Sequence, residues 1–322
     1  AHDPGLRMTR CTSVGYVPGA THPDWTQALG CQPDEASREW MQATLGSGCW
    51  GQQRGDALAL MTGHGANGKS TVTGAVVTAL GDYAGVVDRS VIVGEGHPSH
   101  RAGLRGLRLA LVEELEDGHR LNMAEVKGLL GTEEIAGRLL YQEPITFAAQ
   151  FTLVVTTNYK PQVPDTDHGT WRRLHRLDFA ERYEGATLDP RLRWRCRTTQ
   201  AVQEAVLAWL VDGARMEVPT PSPDMVLAMD EWRQEADTIA AFIREHVEVD
   251  ASAWTTRHDL YLRFIAYQDE QGQNQWGQRT LWSRWNVHPY VADMRLDEHK
   301  SDGKRGWKGL RLTVPTGVDS PF

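Results

Sequence analysis

The spacing of apolar positions changes along the chain, and the changes divide it. Over residues 56–215, short unbroken apolar runs alternate with stretches of helical period. Residues 57–61, 107–112 and 151–157 read as buried strands, and 71–80 and 122–130 as helices. Residues 135–141 and 145–148 read as a hairpin turned through Gln142-Glu143-Pro144. Strands alternating with helices predict an α/β core. Ahead of it, Pro18, Pro23 and Pro33 punctuate a segment whose clearest element is an amphipathic helix over 34–45, capped by Asp34. Trp25, Leu29, Trp40, Met41 and Leu45 are its expected core. Beyond the core, the alternating prolines of 218–223 predict an extended connection. Three helices follow, over 239–247, 256–271 and 279–285, and then a hairpin with strands at 295–296 and 307–314 and its tip at Asp302-Gly303. The expected organisation is an N-terminal helical subdomain (1–55), an α/β core (56–217), a proline-rich linker (218–230) and a winged-helix-like domain (231–322).

The candidate chemistry sits at the strand ends. Gly63-His64-Gly65-Ala66-Asn67-Gly68-Lys69-Ser70-Thr71 follows the first strand and opens the first core helix, matching the P-loop pattern of phosphate-binding enzymes. Gly63, Gly65, Ala66, Asn67, Gly68, Lys69, Ser70 and Thr71 are therefore expected to bind ATP: backbone N–H groups turn inward to cradle phosphate oxygens at a helix N-terminus. Lys69 is expected to reach the β and γ phosphates, and the Ser70 hydroxyl to hold Mg²⁺. Glu113 and Glu114 end the next apolar run, where open α/β sheets bind ligands. One is expected to hold Mg²⁺, assigned to Glu113, and the other to polarise the attacking water. Asn158 follows the third run, placed either to hydrogen-bond a γ-phosphate or water or to cap a turn. After it come Arg172 and Arg173, either surface cations or groups that stabilise charge on a neighbouring subunit's ATP. In the C-terminal domain Arg279, Arg284, Lys300, Lys304, Arg305 and Lys308 form a basic cluster suited to DNA phosphates, with Trp282 or Trp285 as core or stacking residues; the alternative is a winged helix that contacts protein.

Composition adds bounds. The 322 residues suffice for two or three domains. The net charge of −8 restricts any nucleic-acid contact to local basic elements. Cys11, Cys31, Cys49 and Cys196 are widely spaced, which favours free thiols over disulfides or zinc. No run of about 18 apolar residues and no signal-peptide pattern occurs, so a membrane partner is not expected and a cytoplasmic setting is. The start at Ala1 suggests a segment of a longer polypeptide.

Taken together, GHGANGKST, LALVEELEDGHRLNMAEVKGLLGTEEIAGRLLY, FTLVVTTNYKP and DHGTWRRLHRLDF resemble the superfamily 3 helicase domain of phage and plasmid primase-helicases, the group related to the poxvirus helicase-primase. The resemblance covers nearly all of the chain. It implies an AAA+-like core over 56–217 that assembles into a hexameric ring and uses ATP and Mg²⁺ to move 3′ to 5′ along single-stranded DNA, opening forked duplexes as the helicase module of a phage replication protein in the cytoplasm of a bacterial host. It implies that Lys69, Glu113, Glu114 and Asn158 are catalytic, with Arg173, or Arg172, acting on a neighbour's ATP. It places Lys127 and Arg138 in a DNA-contacting helix and hairpin. The hairpin tip, Tyr141-Gln142-Glu143-Pro144, departs from the basic residue relatives often carry there. Either Tyr141 stacks on a base or the grip comes from Arg138 and Lys127. Relatives often carry an N-terminal primase or primase-polymerase domain, which these residues lack. Two other readings stand beside this one: a P-loop ATPase that remodels or packages DNA without unwinding it, and a non-catalytic DNA-binding initiator or ring scaffold.

Overall fold

The structure of the protein is a computed structural model that describes residues 5, 8–94, 98–139, 141–163, 168–217, 220–273, 275–301 and 303–313. The chain divides into two compact units, 1–233 and 234–322.

The first unit is an α/β structure with a parallel central sheet. Its strands are β1 (Leu58–Thr62), β2 (Ala84–Val87), β3 (Leu109–Glu113), the hairpin β4 (Glu134–Arg138) and β5 (Pro144–Ala148), β6 (Thr152–Thr157) and β7 (Leu174–Asp178). Five of them form the sheet, in the order β2-β3-β6-β1-β7, every pair parallel. Around them run α1 (Pro23–Leu29), α2 (Glu35–Gly46), α3 (Lys69–Leu80), α4 (Pro98–Ala102), α5 (Met123–Leu130), α6 (His168–Trp171), α7 (Leu192–Thr198), α8 (Gln200–Arg215) and α9 (Pro223–Ala236). The central strands β1, β3 and β6 are the three apolar runs, buried along nearly their whole length because helices cover both faces. The edge strands β2 and β7 escape the apolar pattern. β7 reads Leu-His-Arg-Leu-Asp and pairs only with β1, so one side is free to carry polar residues.

The helix over 34–45 is α2, with Asp34 accepting from the Ser37 N–H as its cap. The segment 1–55, expected as a subdomain packed on the core, instead shares one core with the sheet's helices: Trp25, Trp40, Met41 and Leu45 are buried with Val72, Val76, Leu177, Phe179, Val206 and Leu210. α2 and α8 cross so closely that a Cβ on Gly46 would stand 2.6 Å from the Leu210 carbonyl oxygen. The segment expected as a linker over 218–230 is also built in from residue 220 on, while residues 218 and 219 lie outside the described residues. Pro223 opens α9, whose Met225 and Trp232 are buried, Trp232 edge-on to Trp171 at 5.4 Å. Proline fits there because the first helical turn has no N–H to lose.

The second unit holds α10 (Thr238–His246), β8 (Val247–Thr256), α11 (Arg257–Glu270), α12 (Gln278–Trp285), α13 (Pro289–Asp293), β9 (Asp297–Ser301) and β10 (Lys304–Leu312). Its strands form an antiparallel sheet in the order β8-β10-β9. β8 is absent from the sequence reading because most of its positions are half or fully exposed. The hairpin's first strand begins at Asp297, after the expected Arg295–Leu296, and its second at Lys304. β9 is all polar and pairs on one side only, which leaves no alternation to read. Phe242, Phe264, Leu281, Trp285 and Leu310 are fully buried in the core of this unit, and Trp282 lies half-buried against Trp307 at 5.3 Å.

Candidate functional site

Because the sheet is parallel, the C-terminal ends of β1, β6 and β3 lie along one edge. Thr62 pairs with Thr157, and Glu113 with Thr156. β6 lies between β1, which carries the loop 63–71, and β3, which ends in the acidic pair. Asn158, one residue past β6, therefore stands between the loop and the carboxylates.

The loop itself needs unusual backbone. Gly63, Gly65, Ala66 and Gly68 all have positive φ (153°, 54°, 50° and 86°). At Gly68 a Cβ would also stand 2.7 Å from the Cβ of Cys31, so glycine is required twice over there. Glu114 adopts φ 57° and Tyr141 φ 60°, a conformation that costs a non-glycine residue free energy and concentrates at functional sites.

Lys69 is the first residue of α3 and only 5% exposed. Its ammonium donates to the Gly63 carbonyl (2.5 Å), to Asn158 Oδ1 (3.2 Å) and to Asn67 Oδ1 (3.3 Å). All three acceptors are neutral. Burial accordingly pulls the lysine down to about 8, partly opposed by the Asp178 carboxylate. Asp178 is itself fixed at the end of β7 by Arg176 Nε (2.8 Å) and by the Thr62 hydroxyl. A cavity of about 390 Å³ opens over this loop. Gly65, Ala66, Asn67, Gly68, Lys69, Ser70, Thr71, Glu114 and Asn158 line it, so the structure brings together most of the residues singled out from sequence. The arrangement of a helix N-terminus and a buried ammonium at one cavity suits a polyphosphate anion.

Other expected residues lie outside that lining. Gly63 is beneath the loop, its α-carbon packed against Asn67 and Phe179. Glu113 is exposed at the end of β3. Arg172 and Arg173 both pair with Asp56, at 2.9 and 3.2 Å. Arg173 is the more buried and also donates to the Gly169 carbonyl (2.7 Å), whereas the Arg172 side chain is 48% exposed. Lys127 lies on α5, and Arg138 at the end of β4 donates to the Gln142 carbonyl (2.8 Å). Tyr141, expected to end a strand, stands instead in the hairpin turn and is fully exposed. In the second unit Lys304, Arg305 and Lys308 are exposed on β10, Arg305 directly opposite Lys300.

Several cavity residues carry no sequence signal. Tyr183 donates its N–H to the Ala66 carbonyl (2.8 Å), and Thr156 and Thr157 are buried at the end of β6. Arg193, on α7, lines the cavity, and one turn on Arg197 donates to the Ser70 carbonyl (3.2 Å). Two arginines on a short, irregularly polar helix look like surface charge until α7 folds against α3. Among the described residues no group of three or more His, Cys, Asp or Glu side chains could hold a metal ion, and no helix is long and apolar enough to cross a membrane. The four cysteines are free, Cys31 and Cys196 buried.

Residues 61–173, the stretch running from the end of β1 through Arg173, match a family of unknown function, DUF5906. A protein of Acanthamoeba polyphaga mimivirus provisionally named helicase L207/L206 is 30% identical over 157 residues, 47% of this chain and 16% of that protein. African swine fever virus (isolate Pig/Kenya/KEN-50/1950) has a protein provisionally named primase C962R that is 26% identical over 275 residues, 76% of this chain and 28% of the relative. A Frog virus 3 protein provisionally named helicase 022R is 23% identical over 256 residues, 72% and 26% of the two. The chain thus spans between 16% and 28% of the length of these relatives. Among solved structures, the apo NrS-1 C-terminal region shares the fold, with a TM-score of 0.54 at 10% identity over 95% of this chain and 79% of that one. The similar proteins are thus helicases and primases, by provisional name, of large DNA viruses.

Proposed function

We propose that the chain is the ATP- and Mg²⁺-dependent motor module of a replicative DNA helicase of the superfamily 3, AAA+-like type, with the loop 63–71 as its P-loop. One observation carries the reading: Lys69 is buried at the start of a helix and hydrogen-bonded only to neutral oxygens, and Glu114 and Asn158 line the same cavity. A buried ammonium without a directly paired counter-charge is costly, Asp178 offsetting that only in part, and a triphosphate would supply the pairing charge. Mg²⁺ fits a site with few protein ligands, since it keeps several waters and uses substrate phosphates. Ser70 and Glu113 would hold it, and it would neutralise phosphate charge. Glu114 orients the attacking water, Asn158 holds that water or the terminal phosphate, and Lys69 balances charge on the transferred group.

The viral relatives extend the proposal to DNA. Arg173, with the more exposed Arg172 beside it, serves the ATP of an adjacent subunit in a hexameric ring. The β4–β5 hairpin, with Lys127 and Arg138 behind Tyr141, contacts single-stranded DNA, which is driven 3′ to 5′ to open a fork. The second unit acts as a winged helix whose Lys304, Arg305 and Lys308 meet phosphates. The test is ATP hydrolysis by the full chain with and without single-stranded DNA: Lys69→Ala abolishes it, and an unaltered rate in that variant refutes the site.

A further inference from the structure

We propose that Arg195, outside the cavity lining, is a positioning residue for the nucleoside part of the bound nucleotide: it ties α1, which brings Gln27 and Ala28 to the cavity, to the loop that brings Leu188 and Pro190. The inference rests on the nucleotide reading of this cavity and assigns a role to a residue that does not line it.

The two ends of the cavity differ in chemistry. Around Lys69 the lining offers amides, hydroxyls and an ammonium turned towards Gly63 and Asn158. From Gly68 the cavity continues along Tyr183, whose ring lies 3.7 Å from where a Gly68 Cβ would stand. There the lining includes the apolar Ala28, Leu188, Pro190 and Leu192, with Gln27, Thr187, Asp189 and Arg193 as the polar groups among them. Against the apolar side chains a phosphate would lose hydration without compensation. A planar heterocycle gains by burial there, and an amide can read its edge.

The wall comes from α1 and from the stretch that runs through the 187–190 loop into α7, two regions far apart in sequence, and Arg195 joins them. From α7, its Nε and Nη2 donate to the two carboxylate oxygens of Asp24 on α1, at 2.8 and 2.9 Å. Nη2 also donates to Asp189 Oδ2, at 2.6 Å, in the loop that carries Leu188 and Pro190. Hydrogen bonds from Arg195 hold both carboxyls below their usual range, so the clamp is ionised at neutral pH. Trp25, next to Asp24, is buried edge-on to Trp209 at 5.3 Å, which anchors α1 from beneath. No other contact described between α1 and the 187–190 loop uses a charged fork of this kind.

The experiment is calorimetric titration of the full chain with ATP and, separately, with inorganic tripolyphosphate, both with Mg²⁺. Arg195→Ala is expected to weaken ATP about tenfold or more and tripolyphosphate by less than about twofold. Leu188→Ser, at a side chain 50% exposed and so without risk to folding, is expected to weaken ATP about threefold and leave tripolyphosphate unchanged. Equal losses for both ligands, or ATP affinity unchanged in both variants, overturn the inference. Failure of the phosphate reading shows separately: wild-type chain without affinity for tripolyphosphate, and ATP binding indifferent to Lys69→Ala.

Discussion

Lys69 is held in a conflict that a ligand resolves. Its burial favours the neutral amine, and the free site titrates near 8. The sign of the consequence follows from where protons go. Below about pH 8 the free lysine is already charged, and binding an anion takes up no proton there. Above it the free lysine is neutral and the bound one protonated, so anion affinity falls as pH rises through 8, with proton uptake on binding. Calorimetry at pH 8.5 in buffers of different ionisation enthalpy measures that uptake, which Lys69→Met should abolish. For stability the same shift acts in the other direction. Between about 8 and the unfolded value near 10.4 the unfolded chain binds more protons, so the ligand-free protein gains stability as pH rises across that window. Glu114 gives a second test at this scale. Glu114→Gln keeps the shape and removes the base, and is expected to lower kcat about 10²- to 10⁴-fold while nucleotide binding persists. A rate within about threefold of wild type would assign the water to another group. The places of the loop, Glu114 and Asn158 at the cavity were legible in sequence because each is tied to the end of an apolar run, whereas Glu113 lies outside the lining. Tyr183, Arg193 and Arg195 were not, because their roles arise only when α7 and its preceding loop fold back over α3.

At the scale of elements, glycines govern the crossing of α2 and α8. A Cβ on Gly213 would press on the Gln42 backbone, and one on Gly46 on the backbone of 210–214. Gly213→Ala is expected to destabilise the first unit by about 1–3 kcal/mol, seen as a lower Tm with the same fold by circular dichroism; an unchanged Tm would mean the crossing relaxes freely. The β4–β5 hairpin makes the opposite case, because its tip is exposed and Tyr141 buries nothing. Tyr141→Ala should leave stability and DNA-free ATP hydrolysis unchanged while reducing stimulation by single-stranded DNA, with a stacking loss of about 1–3 kcal/mol. Equal stimulation in both proteins would move the grip to Arg138 and Lys127. Elements with apolar runs or caps, such as β1, β3, β6 and α2, could be read directly from the sequence. β2, β7, β8 and β9 could not, since each tolerates polar or exposed positions that erase the period of two.

At the scale of the molecule, the divisions suggested by prolines do not coincide with the physical one. Apolar burial, not punctuation, ties α1, α2 and α9 into the first unit, and the division falls at 233/234 within α9. The family match spans the loop, the carboxylates, Asn158 and both arginines, all within 61–173. The proposal that the motor works on DNA draws its support from relatives provisionally named helicase and primase. The most direct measurement follows ATP hydrolysis and strand displacement on a forked duplex in the same reaction, for wild type and for Lys69→Ala. The account predicts that wild type hydrolyses ATP and opens the fork, and that the variant does neither. Hydrolysis by wild type with the fork left intact, or unwinding that survives the loss of Lys69, would contradict it.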